Sequence, residues 1–248
     1  GAFGLSTGLG YAHSLQAPYS EIKFLAEIVQ HRNGVYATHL RSAAAELAKS
    51  VDETIKLVDD VGIRTVISHF MPIAGNEKEY EDALQKIESL PEKTHLKFDV
   101  CPSETSVLPI HAFLPLWAQN GGRETILANL KDEWHRTRII KDISKISPEE
   151  FVVAQAPGND FLVGRSLKEI AEFYDAANYS AALVKLMATT ELKAVVFYRN
   201  INKALVKKAI QSRHSFIATN SASFFDSGKM LKPERATSTF TAFLGMTE

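Results

Sequence analysis

Two histidines stand at matching places in the sequence, each at the end of a short apolar segment. His39 closes residues 35–39 (Val-Tyr-Ala-Thr-His), and His69 closes residues 65–69 (Thr-Val-Ile-Ser-His). Neutral imidazole is a good ligand for zinc and related divalent ions, and a catalytic metal site needs about three protein ligands and one open position. The pair therefore predicts part of a metal site. The alternative for either residue is a polar side chain that ends a strand and hydrogen-bonds to a loop.

Four further residues could contact a substrate near these histidines. Arg41 lies just beyond the first predicted strand end, where a guanidinium could hold a carboxylate or form an ordinary loop salt bridge. Ser6 and Thr7 could line the floor of the cavity, although neither has an obvious activating base. Cys101 could act as a soft ligand or nucleophile, or be a small buried apolar residue. The other histidines, including His13 in a predicted loop, are not expected to be ligands.

The elements that would position these residues alternate along the first hundred residues. Short apolar segments at 1–9, 35–39, 64–69 and 94–100 are typical of strands, and the stretches between them follow helical spacing. A repeat of about 30 residues per β-α unit is what a parallel sheet requires, because each crossover carries a helix back. Parallel barrels hold their active sites at the carboxyl ends of the strands. The polar residues lie at those ends, so the sequence predicts a parallel α/β barrel.

After Cys101 the alternation loosens. Prolines at 102, 109 and 115 and two predicted helices indicate an insertion at about 102–150 within one barrel domain spanning 1–248. A short strand is predicted at 151–156, and Ser166 with Glu169 three places later forms a capping box at the start of a helix. The last predicted barrel strand covers 215–219. Residues 224–248 are expected to form a loop and a terminal helix.

Composition narrows the range of partners. Lys and Arg total 28 against 29 Asp and Glu, so no global field attracts nucleic acid. No apolar run approaches the roughly 20 residues that span a bilayer, so we expect no membrane association. The single cysteine suits a reducing compartment, and the cytoplasm is expected. The first strand starts without a preceding element, so we expect a fragment whose barrel is completed by a missing segment or a second chain.

Several segments, taken in order, resemble one family. Residues 1–11 (Gly-Ala-Phe-Gly-Leu-Ser-Thr-Gly-Leu-Gly-Tyr) are followed by 34–42 and 67–69, and the later segments are 98–102, 114–122, 164–171 and 239–245. Together they are similar to the central barrel of the N-acyl-D-amino-acid deacylases (D-aminoacylases) of the amidohydrolase superfamily. The individual motifs are moderately specific, and their order and spacing carry the resemblance over nearly the whole chain.

The resemblance implies a TIM-like (β/α)8 metal-dependent hydrolase. His39 and His69 would be metal ligands on the fifth and sixth barrel strands, with zinc or another divalent ion as cofactor. Water activated by the metal would hydrolyse the amide (C–N) bond of an N-acyl-D-amino acid or a related small amide. Arg41 would help to hold the substrate carboxylate.

The sequence departs from the family pattern in several places. The family's first-strand His-x-His pair and second-strand cysteine ligand are expected upstream of residue 1, and the small β-domain that flanks the family's barrel is expected outside residues 1–248. At the position of the family's aspartate general base the chain has Ser221 or, with a slip of one place, Asn220. Cys101-Pro102-Ser103 stands where the family has Tyr-Pro-Tyr. The site is therefore expected to be incomplete.

Two alternatives to a hydrolase stay open. A diverged, catalytically inactive homologue would bind a small ligand or a protein partner through the same barrel face, and the residues at 220 and 221 favour it. An open-sheet nucleotide-binding protein is the weaker alternative, because the first predicted strand is not followed by a glycine-rich phosphate turn.

Overall fold

A computed structural model describes residues 1–218, which form two compact units. Among these residues, the first unit contains Gly1–Glu104 and 201–218, and the second contains Thr105–Asn200. The expected end of the last barrel strand at Thr219, the terminal loop and helix, and the positions Asn220 and Ser221 lie outside the described residues.

The first unit is a parallel sheet of five strands with order β1-β2-β3-β4-β8, together with four helices. Its elements are β1 (Gly4–Gly8), α1 (Tyr19–Gln30), β2 (Val35–His39), α2 (Leu47–Val61), β3 (Arg64–Ile67), α3 (Glu77–Glu88), β4 (Leu96–Val100), and, after the second unit, α8 (Lys203–Ile210) and β8 (Ser215–Ile217). All four strand pairs are parallel, so the predicted β-α alternation is confirmed. Within residues 1–218 the sheet is open, with β1 and β8 as its edge strands.

One face of this sheet packs against the helices. Tyr36 of β2 shares a buried cluster with Ile22 of α1 and Leu57 of α2. Farther along the sheet, Ile67 and Phe98 belong to a cluster that also contains residues of α2, α3 and α8. Successive side chains of a strand point to opposite faces, so the residues between these buried ones point away from the helices. The opposite face of the sheet can therefore carry polar side chains.

The second unit is built on an antiparallel sheet with order β5-β7-β6. Its elements are β5 (Thr105–Pro109), α4 (Gly122–Lys131), α5 (Glu133–Asp142), β6 (Phe151–Gln155), α6 (Leu167–Phe173), α7 (Tyr179–Thr189) and β7 (Val195–Arg199). A single buried cluster contains residues from β6, β7 and all four helices. The predicted capping box is confirmed, because Ser166 and Glu169 exchange both of its hydrogen bonds at the start of α6.

The end of this second unit differs from the predicted insertion. The prediction ended the insertion near residue 150, whereas the compact unit runs to Asn200. The physical reason is strand pairing, because β6 pairs antiparallel with β7 and therefore belongs to the small sheet. A short apolar run has the same pattern in either kind of sheet, so sequence alone did not separate the two. None of the helices within residues 1–218 is both long and apolar enough to cross a membrane.

Candidate functional site

The two candidate ligands come together at the carboxyl ends of β2 and β3. His39 is the last residue of β2, and His69 lies two residues beyond the end of β3. Their ring centroids are 5.4 Å apart, and the ring planes are tilted by 49°. The parallel pairing of the two strands produces this approach, because it brings equivalent ends to the same edge of the sheet.

A carboxylate that the sequence did not single out holds His69. Oδ1 of Asp99, in β4, accepts a hydrogen bond of 2.8 Å from the His69 backbone N–H. This bond supports an unusual backbone, since His69 has φ of 49° in the left-handed region. Burial raises the pKa of the Asp99 carboxyl, and the backbone hydrogen bond and the electrostatic interaction with His69 partly oppose that rise.

The 30-residue spacing of the two histidines could have identified Asp99 from the sequence. Positions 39, 69 and 99 each lie one β-α repeat apart. Phe98 and Val100 are buried in the helix-facing core, so Asp99 between them points to the opposite face. The repeat that linked the two histidines therefore also leads to this carboxylate.

The electrostatics of the pair favour a neutral His39. Its pKa is lowered, first by burial and then by the charge of His69. Neutral imidazole is the form that binds a metal ion. Residues 1–218 contain no group of three or more His, Cys, Asp or Glu side chains arranged to hold a metal. Imidazole nitrogens are suitable donors for a divalent ion, and the described residues bring two imidazole rings together at this edge of the sheet.

An aromatic stack covers His39 on the side of the β1-α1 loop. The Tyr11 ring lies nearly parallel to the His39 ring, with centroids 5.3 Å apart and planes 12° apart. His13 in turn stacks on Tyr11 at 5.8 Å. Neither contact was predicted, because sequence spacing does not reveal how a loop folds back over a neighbouring strand. His13 thus lies beside the site without being in the histidine pair.

Arg41 is engaged in a different interaction from the one expected for a substrate carboxylate. Its Nε and Nη2 donate to the two carboxylate oxygens of Glu53 in α2, at 3.1 and 2.8 Å. Nη1 donates to the carbonyl oxygen of Leu15, and Nη2 also donates to that of Ala17 at 3.1 Å. The guanidinium therefore ties the β1-α1 loop to α2. The structure has the salt bridge that was the alternative to substrate binding.

Ser6 and Thr7, expected together at the cavity floor, lie on opposite faces of the sheet. The Thr7 hydroxyl is within hydrogen-bond distance of the Tyr36 hydroxyl (2.7 Å) and donates to Oγ1 of Thr38 (3.1 Å), so it belongs to the helix-facing side. Ser6 is exposed and points to the other face, which also carries His39. The structure therefore leaves only Ser6 of this pair on the face of the histidines.

Cys101 is a buried free thiol just beyond the end of β4. Its side chain is 8% exposed, and its backbone N–H donates to the sulfur of Met71 at 3.3 Å. The environment is that of a small apolar residue at a strand end. The positions Ser221 and Asn220 lie outside the described residues, so the contribution of the last strand is known from sequence only.

Comparison with known proteins supports the resemblance found in the motifs. The chain is 37% identical over 70 residues to an N-acyl-D-aspartate deacylase of Alcaligenes xylosoxydans xylosoxydans. It is 32% identical over 69 residues to a D-aminoacylase of the same organism. Each match covers 28% of this chain and 14% of the relative. No family model matches the chain.

Solved structures extend the likeness to most of the chain. An N-acyl-D-glutamate deacylase from Bordetella bronchiseptica, solved with zinc and a phosphonate inhibitor, matches with a TM-score of 0.61 at 18% identity. That match covers 88% of this chain and 39% of the deacylase. A D-aminoacylase described as having a binuclear metal centre gives a TM-score of 0.61 at 19% identity. The resemblance to these proteins and the barrel-type α/β fold are thereby confirmed, and the chain spans 14% of the curated relatives and 38–39% of the solved structures.

Proposed function

We propose that this chain, which resembles the D-aminoacylases in sequence and fold, carries part of the active site of a metal-dependent amidohydrolase. Its reaction would be hydrolysis of the amide C–N bond of an N-acyl-D-amino acid or a related small amide. His39 and His69 would hold a divalent ion, with zinc as the first candidate. The observation that carries this proposal is the approach of the two imidazole rings to 5.4 Å at neighbouring strand ends.

Each residue near the pair has a defined contribution in this proposal. A bound metal would polarise the amide carbonyl and lower the pKa of water. The lowered pKa of His39 keeps its imidazole neutral and able to bind the ion at neutral pH. Asp99 fixes the backbone of His69, and so the place from which its ring extends. Ser6, exposed on the same face, is available to contact a substrate.

The remaining ligands would come from polypeptide beside β1. Among the described residues β1 pairs with β2 alone, so its other edge is free to accept a further parallel strand. The helix that follows β1 also leaves apolar side chains uncovered, with Phe24 61% and Ile28 49% exposed. A preceding segment of a longer chain, or a second chain, could cover both features and complete the barrel.

Metal binding tests the ligand assignment. Zinc affinity would be measured by competition with a chromophoric chelator for the wild type, His39→Ala, His69→Ala and the control His31→Ala. His31 is exposed at the end of α1 and lies outside the candidate site. We expect each site variant to lose at least about 10- to 100-fold in affinity, since even outer-shell changes have effects of that size. The control should bind as the wild type does. A wild type without zinc, or unchanged affinity in both site variants, would contradict the proposal.

A second candidate function is ligand binding without catalysis. Two observations favour it: the chain has Asn220 and Ser221 where the family has its aspartate, and Arg41 is bound to Glu53. Positioned proton transfer typically contributes roughly 10²–10⁴-fold to a rate, so its loss would be severe. Hydrolysis of N-acetyl-D-amino acids by the zinc-loaded protein separates the candidates. Turnover that disappears in His39→Ala supports the hydrolase, whereas zinc binding without turnover supports the binding protein.

A further inference from the structure

The loop after β1 is shaped around the ring of His39. A Cβ atom built on Gly10 would lie 2.9 Å from Nε2 of His39 and 2.9 Å from the carbonyl oxygen of Leu40. A Cβ on Gly8 would overlap the ring of Tyr11. Both approaches are closer than real side-chain carbons show, so a residue larger than glycine at either position has to move one of the two rings.

The Tyr11 ring stacks on the His39 ring and so restrains its orientation. The Tyr11 side chain is 52% exposed, so burial in a core does not fix its ring. Stacking with His13 and with His39 restrains the Tyr11 ring, and the Tyr11 ring restrains the His39 imidazole in return. Gly8 and Gly10 act on different atoms, since Gly8 leaves room for the tyrosine ring and Gly10 leaves room beside Nε2 of the histidine.

We propose that Gly8, Gly10 and Tyr11 form a cradle that fixes the orientation of the His39 imidazole before a divalent ion binds. Tyr11 is a positioning residue that acts through His39. The metal-binding half of this inference rests on the proposed function, whereas the orientation of the ring is a property of the metal-free protein.

The physical basis is preorganisation of a ligand. A histidine that turns freely about its side-chain torsions must be ordered when the ion binds, and this ordering weakens binding. Contacts that orient ligating histidines change metal affinity by about 10- to 100-fold in known sites. Aromatic stacking alone corresponds to roughly 2- to 10-fold in an equilibrium constant. Removal of the Tyr11 ring is therefore expected to weaken zinc binding by roughly 5- to 10-fold.

The experiment combines two readouts on Tyr11→Phe, Tyr11→Ala, Gly10→Ala and the control Tyr179→Ala. Tyr179 lies in the second unit and is 42% exposed, which makes it a comparable surface aromatic. The first readout is the NMR position of the imidazole protons of His39 in the metal-free protein, assigned by their loss in His39→Ala. The second is zinc affinity measured by chelator competition.

The cradle predicts a distinct result for each variant. Tyr11→Phe keeps the ring-current shift of the His39 protons and the zinc affinity, because the stack requires the ring and not the hydroxyl. Tyr11→Ala loses the ring-current shift and binds zinc roughly 5- to 10-fold more weakly. Gly10→Ala weakens zinc binding at least as much as Tyr11→Ala does, since its Cβ occupies the space beside Nε2. Tyr179→Ala behaves as the wild type in both readouts.

Several outcomes would overturn the inference. One is a set of His39 resonances that does not change in Tyr11→Ala; another is a folded Gly10→Ala that binds zinc as the wild type does. If Gly10→Ala fails to fold, the comparison of Tyr11→Phe with Tyr11→Ala decides. A wild type that binds no zinc contradicts the proposed function. The His39 resonances of the metal-free protein then test the orientation of the ring separately.

Discussion

The two sheets of this protein are built from strands of similar length and place their polar residues differently. The parallel sheet of the first unit has His39, His69 and Asp99 at or near the carboxyl ends of three neighbouring strands. The antiparallel sheet of the second unit reverses direction at each strand, so successive carboxyl ends point to opposite edges. Side chains at strand ends therefore come together in the parallel sheet and are kept apart in the antiparallel one. Candidate chemistry is therefore expected in the first unit, and the second is expected to contribute packing.

The sharpest test of this contrast uses two matched phenylalanines. Phe98 of β4 is 0% exposed and meets Phe70 edge-on at 5.0 Å. Phe151 of β6 is also 0% exposed and meets Phe113 edge-on at 5.3 Å. Replacement of either by alanine should reduce the free energy of unfolding by about 3–5 kcal/mol, because each leaves a cavity in a core. Urea unfolding would measure the loss, and hydrogen exchange would locate it in one unit.

Zinc affinity separates the two phenylalanine variants. Phe98→Ala should also weaken zinc binding by roughly tenfold, since Phe98 precedes the residue that holds His69. Phe151→Ala should leave the affinity of the folded protein unchanged. If both variants changed zinc affinity equally, the assignment of the metal site to the first unit alone would be wrong.

The next largest effect concerns Arg41 and its role in the first unit. Arg41 and Glu53 are about a quarter exposed (24% and 25%) and share two hydrogen bonds. Arg41→Ala should cost about 1.5–3 kcal/mol in unfolding free energy, and Arg41→Lys should recover little, because an ammonium cannot form the paired geometry. A double-mutant cycle with Glu53→Ala measures the coupling. Unchanged stability with a raised KM for N-acyl amino acids would instead assign Arg41 to the substrate.

The smallest effect distinguishes the two faces of the parallel sheet. Thr7→Val removes the hydroxyl that lies beside those of Tyr36 and Thr38, and should cost about 1 kcal/mol. Ser6→Ala, one residue earlier on the exposed face, should change stability by less than about 0.5 kcal/mol. Thermal unfolding of the two variants, side by side, makes the comparison. A larger loss for Ser6→Ala would reverse the assignment of faces.

The sequence predicted the parallel sheet well because its signal is periodic. Apolar segments separated by helical spacing placed β1 to β4 and β8 near their observed positions, and the same repeat brought the two histidines together. The antiparallel sheet gave a weaker signal. β5 contains polar residues and ends at Pro109, and β7 was not predicted although Val195 to Tyr198 is a run of β-branched and aromatic residues.

The side-chain partners within the site could not be predicted for a different reason. Whether Arg41 meets a substrate or Glu53 depends on how far α2 lies from the loop, which is a tertiary distance. Alternation within β1 could have separated Ser6 from Thr7, since adjacent residues of a strand cannot share a face. The stack on His39 needs a loop conformation that two glycines permit. Spacing indicates which residues approach, and packing decides how they meet.

The left-handed backbone at His69 has a consequence for the evolution of such a site. A residue other than glycine in this conformation is strained by roughly 1 kcal/mol, and Asp99 helps to hold it there. Glycine would relieve the strain but would remove the imidazole. If His69 is the metal ligand proposed above, stability and metal binding make opposite demands on position 69. A descendant that no longer binds a metal would then gain stability from a single His69→Gly substitution.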